Sequence, residues 1–129
     1  MTIGIDTNIV IRWLVDERGA EAQAEKAVRI MGQDGLHLSL VALAEAIWVL
    51  NRTYGFTRSQ IVRVVDALLG MGNVDTGRRD IIQAALAEFE MHGGDFNDHL
   101  IASLDETAGC EHTLTFDKKA ARSKRFKLV

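Results

Sequence analysis

The stretch TIGIDTNIVIRWLVDE, residues 2–17, decides the fold class because two different periodicities meet inside it. TIGID is short, apolar and rich in β-branched residues, which is typical of a buried strand. DTNIVIRWLVDE follows with apolar residues at helical spacing from Ile9 to Leu14, and Thr7 or Asn8 is its predicted N-cap. The stretch therefore predicts a buried strand that passes directly into a helix.

The same alternation of strand and helix patterns continues along the rest of the chain. Amphipathic helices are predicted over residues 20–32, 39–55, 56–70, 77–94 and 95–109, with a short one over 117–122. Strands are predicted at 36–38, 111–116 and 126–129, and a weaker one at 73–77. Ser39 and Thr57 are predicted N-caps. This order indicates a three-layer α/β fold in which a short central parallel sheet carries helices on both faces.

The composition is that of one globular domain, residues 1–129. Hydrophobic residues make up 47% of the chain and charged residues 26%, which excludes a disordered protein. Asp6 and Arg12 interrupt the apolar N-terminal stretch, so we expect neither a signal peptide nor a membrane span. Cys110 is the only cysteine, which excludes an intramolecular disulfide and leaves too few ligands for a zinc site. We therefore expect a cytoplasmic protein.

The charge is unevenly distributed along the chain. The net charge is −3, yet residues 118–127, KKAARSKRFK, hold six of the fifteen basic residues. The remainder has nine basic residues against eighteen acidic ones. An acidic body with a basic C-terminal strip is either a solvated tail or a contact surface for a polyanion.

Aspartates lie where predicted strands end and where one helix begins. Asp6 closes the first strand, Asp117 follows the HTLTF strand, and Asp95 and Asp98 begin a helix three residues apart. The carboxyl ends of parallel strands meet at one edge of a sheet, so we expect these side chains at the same edge. Each aspartate also has an ordinary structural explanation as a helix cap or turn residue.

Glu45 stands in the middle of a helix, where no cap is needed. It is the only charged residue from Leu38 to Asn51, so we expect it to be buried unless it points from an exposed helix edge into water. Burying an unpaired carboxylate costs several kcal/mol or raises its pKa. A divalent cation such as Mg²⁺ or Mn²⁺ would offset the negative charges of Glu45 and the aspartates and so allow them to lie close together. Such a site performs metal-assisted phosphodiester hydrolysis.

Four acidic motifs occur in the order typical of one known family. They are IDTNIVI (5–11), ALAEAIWVL (42–50), GGDFNDHLIASLDETAGC (93–110) and TLTFD (113–117). In these motifs the chain resembles a PIN-domain ribonuclease, and within that group the toxin of a VapBC toxin–antitoxin pair. The resemblance runs from residue 3 to about residue 128 and implies a PIN-like fold.

The resemblance implies an endoribonuclease whose Mg²⁺ or Mn²⁺ is bound by acids matching Asp6, Glu45, Asp98 and Asp117, with Asp95 as an accessory acid. Polar positions that line the site in the family match Thr7, Asn8 and Thr115. The resemblance also implies an RNA substrate and a homodimer. A cognate antitoxin protein would block the acidic site, often by inserting an arginine among the acids.

Within this resemblance, the basic residues gain a use as contacts for RNA phosphates. Lys118, Lys119 and Arg122 follow Asp117 directly, and Arg12 is a further candidate. Trp13 and Trp48 fit the core or a dimer interface better than base stacking. His99 is expected to be a surface or rim residue.

Two other functions are compatible with parts of the pattern. A receiver-type phosphotransfer domain also groups acids around Mg²⁺, but it would need adjacent acids after the first strand, where only Asp6 stands. A non-catalytic RNA- or protein-binding module would use the acids as caps and surface charges. That second alternative predicts an exposed Glu45 and acids that do not converge.

Overall fold

The computed structural model describes residues 2–129, and within them it contains six α-helices and five short strands. In chain order the elements are β1 (Ile3–Gly4), α1 (Thr7–Leu14), α2 (Glu21–Met31), β2 (Leu36–His37), α3 (Leu40–Arg52), α4 (Arg58–Gly70), β3 (Val74–Asp75), α5 (Arg79–His92), α6 (Phe96–Thr107), β4 (Thr113–Thr115), a short 3₁₀ helix (Ala120–Arg122) and β5 (Phe126–Leu128). Every strand pairing is parallel. The predicted α/β class is therefore confirmed.

The chain divides into two compact units, and the first ends at Gly77. Its sheet has the order β1-β2-β3, with Leu36 of β2 in register with Ile3 of β1 on one side and Val74 of β3 on the other. Helix α1 packs against α2 and α3, and α3 contacts α4. Apolar side chains at helical spacing on these helices form the core of this unit.

The first strand differs from its predicted burial. Ile5 is buried, but Ile3 is 55% exposed and Gly4 is exposed as well. The reason is the position of β1 at the edge of the three-stranded sheet, where it has a paired neighbour on one side. Leu36, in the middle strand, is 1% exposed.

Side-chain caps define the beginnings of three helices in the first unit. Ser39 caps α3 by accepting from the Ala42 N–H, and Thr57 and Gln60 form a reciprocal capping box on α4, so both predicted caps are confirmed. The predicted cap of α1 was wrong by one position. Asp6, rather than Thr7 or Asn8, occupies the N-cap because its backbone is still extended.

The second unit, Arg78–Val129, is built on the packed helices α5 and α6 and on the β4–β5 pair. The two helices meet through Phe89 and Phe96, whose rings pack edge to face with their centroids 5.6 Å apart. Phe126 of β5 is buried with Ala102 of α6 and Ala120 of the 3₁₀ helix. The C-terminal strand is thereby fastened to α6.

The layer arrangement of the whole chain and its unity as a single domain stay predictions. The strands are hydrogen-bonded as one sheet of three and one sheet of two, where a single central sheet was predicted. In residues 2–129, the structure has no helix both long and apolar enough to cross a membrane.

Candidate active site

Asp6 lies two residues after the end of β1 and is the N-cap of α1. The backbone ladder continues one residue beyond the strand, since the Ile5 N–H donates to the His37 carbonyl at 2.9 Å. The Asp6 Oδ1 atom accepts the Thr7 N–H at 2.7 Å, and the side chain is exposed. Asp6 is therefore both a helix cap and an accessible carboxylate at the carboxyl edge of the sheet.

Thr7 connects the start of α1 to α3. Its side chain is 4% exposed, and its hydroxyl donates to the Ala42 carbonyl at 3.2 Å. Ala42 is three residues before Glu45, so this bond holds the segment that follows Asp6 against the first turn of the Glu45 helix. Asn8, the neighbouring polar position, is exposed.

Glu45 lies on the exposed face of α3, so the expected burial of this carboxylate was wrong. Ala42, Ala46 and Ile47 turn toward the core, and Glu45 falls on the opposite side of the helix. Its neighbours on that face, Val41 and Trp48, are 80% and 50% exposed. A carboxylate placed in this way has access to water and needs no buried partner.

The tight connection between α5 and α6 positions two further aspartates. Gly93 and Gly94 both have positive φ, at 68° and 80°, which residues with a β-carbon rarely adopt. Asp95 follows as the N-cap of α6, with its Oδ1 accepting the Asn97 N–H at 2.9 Å. Asp98 then lies in the first turn of that helix, half-buried.

The environment of Asp98 is electrostatically unfavourable for a carboxylate. Partial burial is the first cause of a raised pKa for its side chain, and the negative charges of Asp95 and Asp117 raise it further. His99 acts in the opposite direction. In the second unit, Asp95 and Asp117 therefore both lie near enough to Asp98 to repel its charge.

Asp117 is held by a turn that follows β4. Its backbone N–H donates to the Thr115 hydroxyl at 3.0 Å, and its Oδ1 accepts the Lys119 N–H at 2.8 Å. Thr115, expected to line the site, thus orients the backbone of Asp117. The aspartate itself remains exposed.

His99 is not the surface or rim residue that was expected. It is 3% exposed, and its Nε2 lies 2.9 Å from the Gly93 carbonyl, to which it donates. The ring also contacts Phe89. His99 therefore supports the turn that delivers Asp95 and Asp98, a role that sequence spacing did not indicate.

The basic residues fall into two classes. Lys118, Lys119 and Arg122 are exposed, as contacts for phosphates would have to be. Arg12 is already paired, because its Nη1 lies 2.6 Å from Glu17 Oε2, and this hydrogen bond raises its pKa further above the usual range. Arg125, counted in the basic strip, is 14% exposed in its side chain and is engaged by α5 and α6.

A His–Asp pair at the edge of the first sheet was missed from the sequence. His37 Nδ1 lies 3.2 Å from Asp75 Oδ2, and the pKa of Asp75 is lowered first by the Gly77 N–H and then by His37. Only the pairing register of β2 and β3, which places His37 opposite Asp75, could have indicated this pair. The two residues are 38 positions apart, so no local pattern connects them.

The donor chemistry of the acids fits a hard divalent cation. Across residues 2–129, no group of three or more His, Cys, Asp or Glu side chains has the arrangement of a metal-binding cluster. The mutual repulsion at Asp98 is the condition that a cation would relieve. Carboxylate oxygens are also the ligands that Mg²⁺ and Mn²⁺ prefer.

The family comparison agrees with the acidic motifs. A family model described as PIN domain matches residues 3–125, which covers most of both units. No curated protein was found to match the chain.

Proposed function

The chain belongs to the PIN domain family, and from this membership we propose that it is a metal-dependent endoribonuclease that hydrolyses RNA phosphodiester bonds. PIN domains are in general metal-dependent nucleases. The proposal narrows this to RNA cleaved internally, and to the toxin of a type II toxin–antitoxin system, as the four acidic motifs suggest.

The observation that carries the proposal is the crowding of aspartates around Asp98. A carboxylate whose pKa is raised by burial and by two neighbouring aspartates is characteristic of a functional site and is an unfavourable choice for structure alone. A cap needs one acid, which Asp95 supplies. Asp98 is not needed for the cap, and Asp117 lies outside α6, in the turn after β4.

We assign the catalytic and metal-binding roles to Asp6, Glu45, Asp98 and Asp117, with Asp95 as a further ligand. Bound Mg²⁺ or Mn²⁺ would supply charge neutralisation at the scissile phosphate and a lowered pKa for the attacking water. The side chains of Thr7, Asn8 and Thr115 line this site in the proposal. The hydrogen bonds of Thr7 and Thr115 support it, because they fix the segments that carry Asp6 and Asp117.

The proposed contacts to RNA phosphates are Lys118, Lys119, Arg122 and Arg12. The first three are exposed and follow Asp117 in the sequence. An RNA strand bound near that acid would therefore lie beside three cationic side chains. Arg12 is the weakest member, since binding a phosphate requires it to loosen its ion pair with Glu17.

The remaining partners follow from the same proposal. We propose a homodimer in the cytoplasm and a cognate antitoxin protein that blocks the acidic site. The exposed Trp48 and Val41 on α3 support a protein contact there, because neither is covered by the chain itself.

A non-catalytic RNA- or protein-binding module is the second candidate, and the exposure of Glu45 favours it. That alternative uses the acids as caps and surface charges, and Asp6 and Asp95 are indeed caps. Capping does not exclude catalysis, since a capping carboxylate keeps a second oxygen for another partner. An experiment therefore has to separate the two functions.

The test compares charge-neutral variants that preserve the fold. Asp6→Asn keeps the N-cap, because Asn and Asp cap helices about equally well, and Glu45→Gln changes an exposed position. Each variant should lower Mg²⁺-dependent cleavage of an RNA panel by about 100-fold or more, with little change in melting temperature. Asp66→Asn, an exposed acid on α4, is the matched control and should cleave like the wild type.

Growth arrest on expression should disappear in the same two variants and persist in the control. Wild-type protein that binds RNA but cleaves none with Mg²⁺ or Mn²⁺ would instead support the binding module. Cleavage that survives both substitutions would remove these acids from the mechanism.

A further inference from the structure

Phe116 presents an aromatic ring to solvent next to a proposed catalytic acid. It is 86% exposed, the highest fraction among the exposed large apolar side chains of residues 2–129. It stands between Thr115, which orients the Asp117 backbone, and Asp117 itself. A single exposed apolar residue is ordinary, so its surroundings decide whether it has a function.

The ring stands at the end of an exposed face of the β4–β5 pair. Leu114 is 61% exposed, and its register partner in β5 is the exposed Lys127. Phe116 stands at the bend directly after β4, two residues beyond Leu114. The opposite side carries the buried Phe126. The strand pair therefore has one core side and one exposed side, which combines Leu114 with Lys127 and is followed directly by Phe116.

The backbone around Phe116 is held in place although its ring is uncovered. The Asp117 N–H donates to Thr115, and the Asp117 carboxylate accepts from the Lys119 N–H and, at 3.4 Å, from the Ala120 N–H. The strand pairing also extends to the last residue, since the Val129 N–H donates to the Thr115 carbonyl. Because the backbone is already ordered, stacking on the ring restricts the rotamers of one side chain and no further backbone.

We propose that the exposed ring of Phe116, at the end of the β4–β5 face that carries Leu114 and Lys127, is a stacking platform for an unpaired nucleotide of the RNA substrate. This inference rests on the proposed function and adds to it a subsite for one unpaired base. A base within a duplex is already stacked and paired, so it cannot cover the Phe116 ring. Aromatic side chains on exposed sheet faces bind unpaired bases in this way.

Charge favours RNA over a protein as the occupant. Lys118 and Lys119 follow the ring by two and three positions, and Lys127 lies across the strand pair, all of them exposed. This set of cations complements a phosphate backbone. Asp117 adjoins the ring, so a base stacked on Phe116 places its strand beside a proposed catalytic acid. Phe116 is thus a specificity residue of the same site.

The experiment is a double-mutant cycle between the side chain and one base. The probe is a short single-stranded RNA whose cleavage site has been mapped with wild-type protein, together with versions carrying one abasic nucleotide at each position near that site. Phe116→Ala should lower kcat/KM on the intact RNA by roughly tenfold, mainly through KM. At one position, an abasic nucleotide should lower the kcat/KM of the wild type by a similar factor. The same nucleotide should leave the kcat/KM of the Phe116→Ala variant unchanged.

Matched variants separate stacking from other effects. Phe116→Trp and Phe116→Tyr should retain at least wild-type kcat/KM, since both keep a π-face. Met91→Ala, which removes a side chain that is 74% exposed on α5, should behave as wild type. Lys118→Ala should weaken intact and abasic RNA equally, because a phosphate contact carries no base information.

The proposal is overturned if Phe116→Ala cleaves all the RNAs as wild type does, or if it loses the same factor on intact and abasic RNA. A change in oligomeric mass with unchanged RNA binding would assign the face to a protein interface instead. If wild-type protein cleaves nothing, the proposed function fails separately. Fluorescence anisotropy with the same RNA and its abasic versions then tests the platform by itself.

Discussion

At the scale of single residues, two of the aspartates proposed to bind metal also cap helices. Asp6 and Asp95 cap α1 and α6, which is the structural explanation that the sequence left open for them. Asp98 carries the unfavourable electrostatics. Glu45 shows why a helical position cannot be judged from apolar neighbours in sequence, because those neighbours turn to the other side of α3.

The raised pKa of Asp98 has a defined effect on stability in the absence of metal. A carboxyl group with a raised pKa in the folded state binds its proton more tightly there than in the unfolded chain. Its ionised form therefore opposes folding at neutral pH, and this cost declines as pH falls through the folded-state pKa toward the ordinary value of 3.8. We expect metal-free Asp98→Asn to melt at a higher temperature than wild type at neutral pH.

The difference between the two proteins should shrink as the pH is lowered toward about 4, where the wild-type carboxyl group is protonated. Thermal melts over this pH range in a chelating buffer measure it, and Glu90→Gln, an exposed acid on α5, is the control. Added Mn²⁺ should raise the melting temperature of wild type more than that of Asp98→Asn. Equal melting temperatures at every pH would show that Asp98 is not under electrostatic stress.

At the scale of elements, Arg125 links the C-terminal strand to both helices of the second unit. Its Nη2 donates to the His99 carbonyl at 2.9 Å and to the Ser103 hydroxyl. Its other guanidinium nitrogens lie 3.8 Å from Glu88 of α5 and 3.6 Å from Glu106 of α6. A residue that sequence composition assigned to a basic strip therefore works as a connector between elements.

We expect Arg125→Ala to lower the free energy of unfolding by about 2 kcal/mol, because charge-assisted hydrogen bonds are lost from a largely buried position. Urea unfolding followed by circular dichroism measures the change. Lys124→Ala, at the exposed neighbouring position, should alter it by less than about 0.5 kcal/mol. Arg125→Lys should fall between wild type and Arg125→Ala, since an ammonium group cannot reach all four partners. A result equal to that of Lys124→Ala would contradict the connector role.

Helices were easier to predict than strands for a physical reason. Each α-helix has its own hydrogen bonds and its own apolar period, so all six were predicted from local pattern. The strands contain two or three residues each, too few for a period to be read. Their pairing, and hence the meeting of His37 with Asp75, depends on distant segments.

At the scale of the whole molecule, the uncovered face of α3 bears on assembly. Trp48 is 50% exposed and Trp13 is partly exposed, so neither is a core residue. The sequence placed both tryptophans in the core or at a dimer interface, and their exposure leaves the interface. Large exposed aromatic side chains are frequent at the centres of protein interfaces.

We expect Trp48→Glu to weaken the proposed homodimer by about 30-fold or more in Kd, because interface tryptophans commonly contribute at least about 2 kcal/mol. Sedimentation velocity over a concentration series measures this association. Met91→Glu, on an exposed apolar side chain of α5, is the matched control and should leave the dimer intact. A wild-type protein that is monomeric throughout the series would refute the dimer, and a dimer unaffected by Trp48→Glu would place the interface elsewhere.

The amino-acid sequence by itself determined the α/β class, the six helices, the caps at Ser39 and Thr57, and the family that the acidic motifs indicate. These depend on local hydrogen bonding and on residue spacing, which a linear pattern contains. Only the tertiary structure decided that Glu45 and Phe116 are exposed and that His99 and Arg125 are enclosed. Exposure depends on which faces of neighbouring elements pack together, and the order of residues along one element does not contain that information.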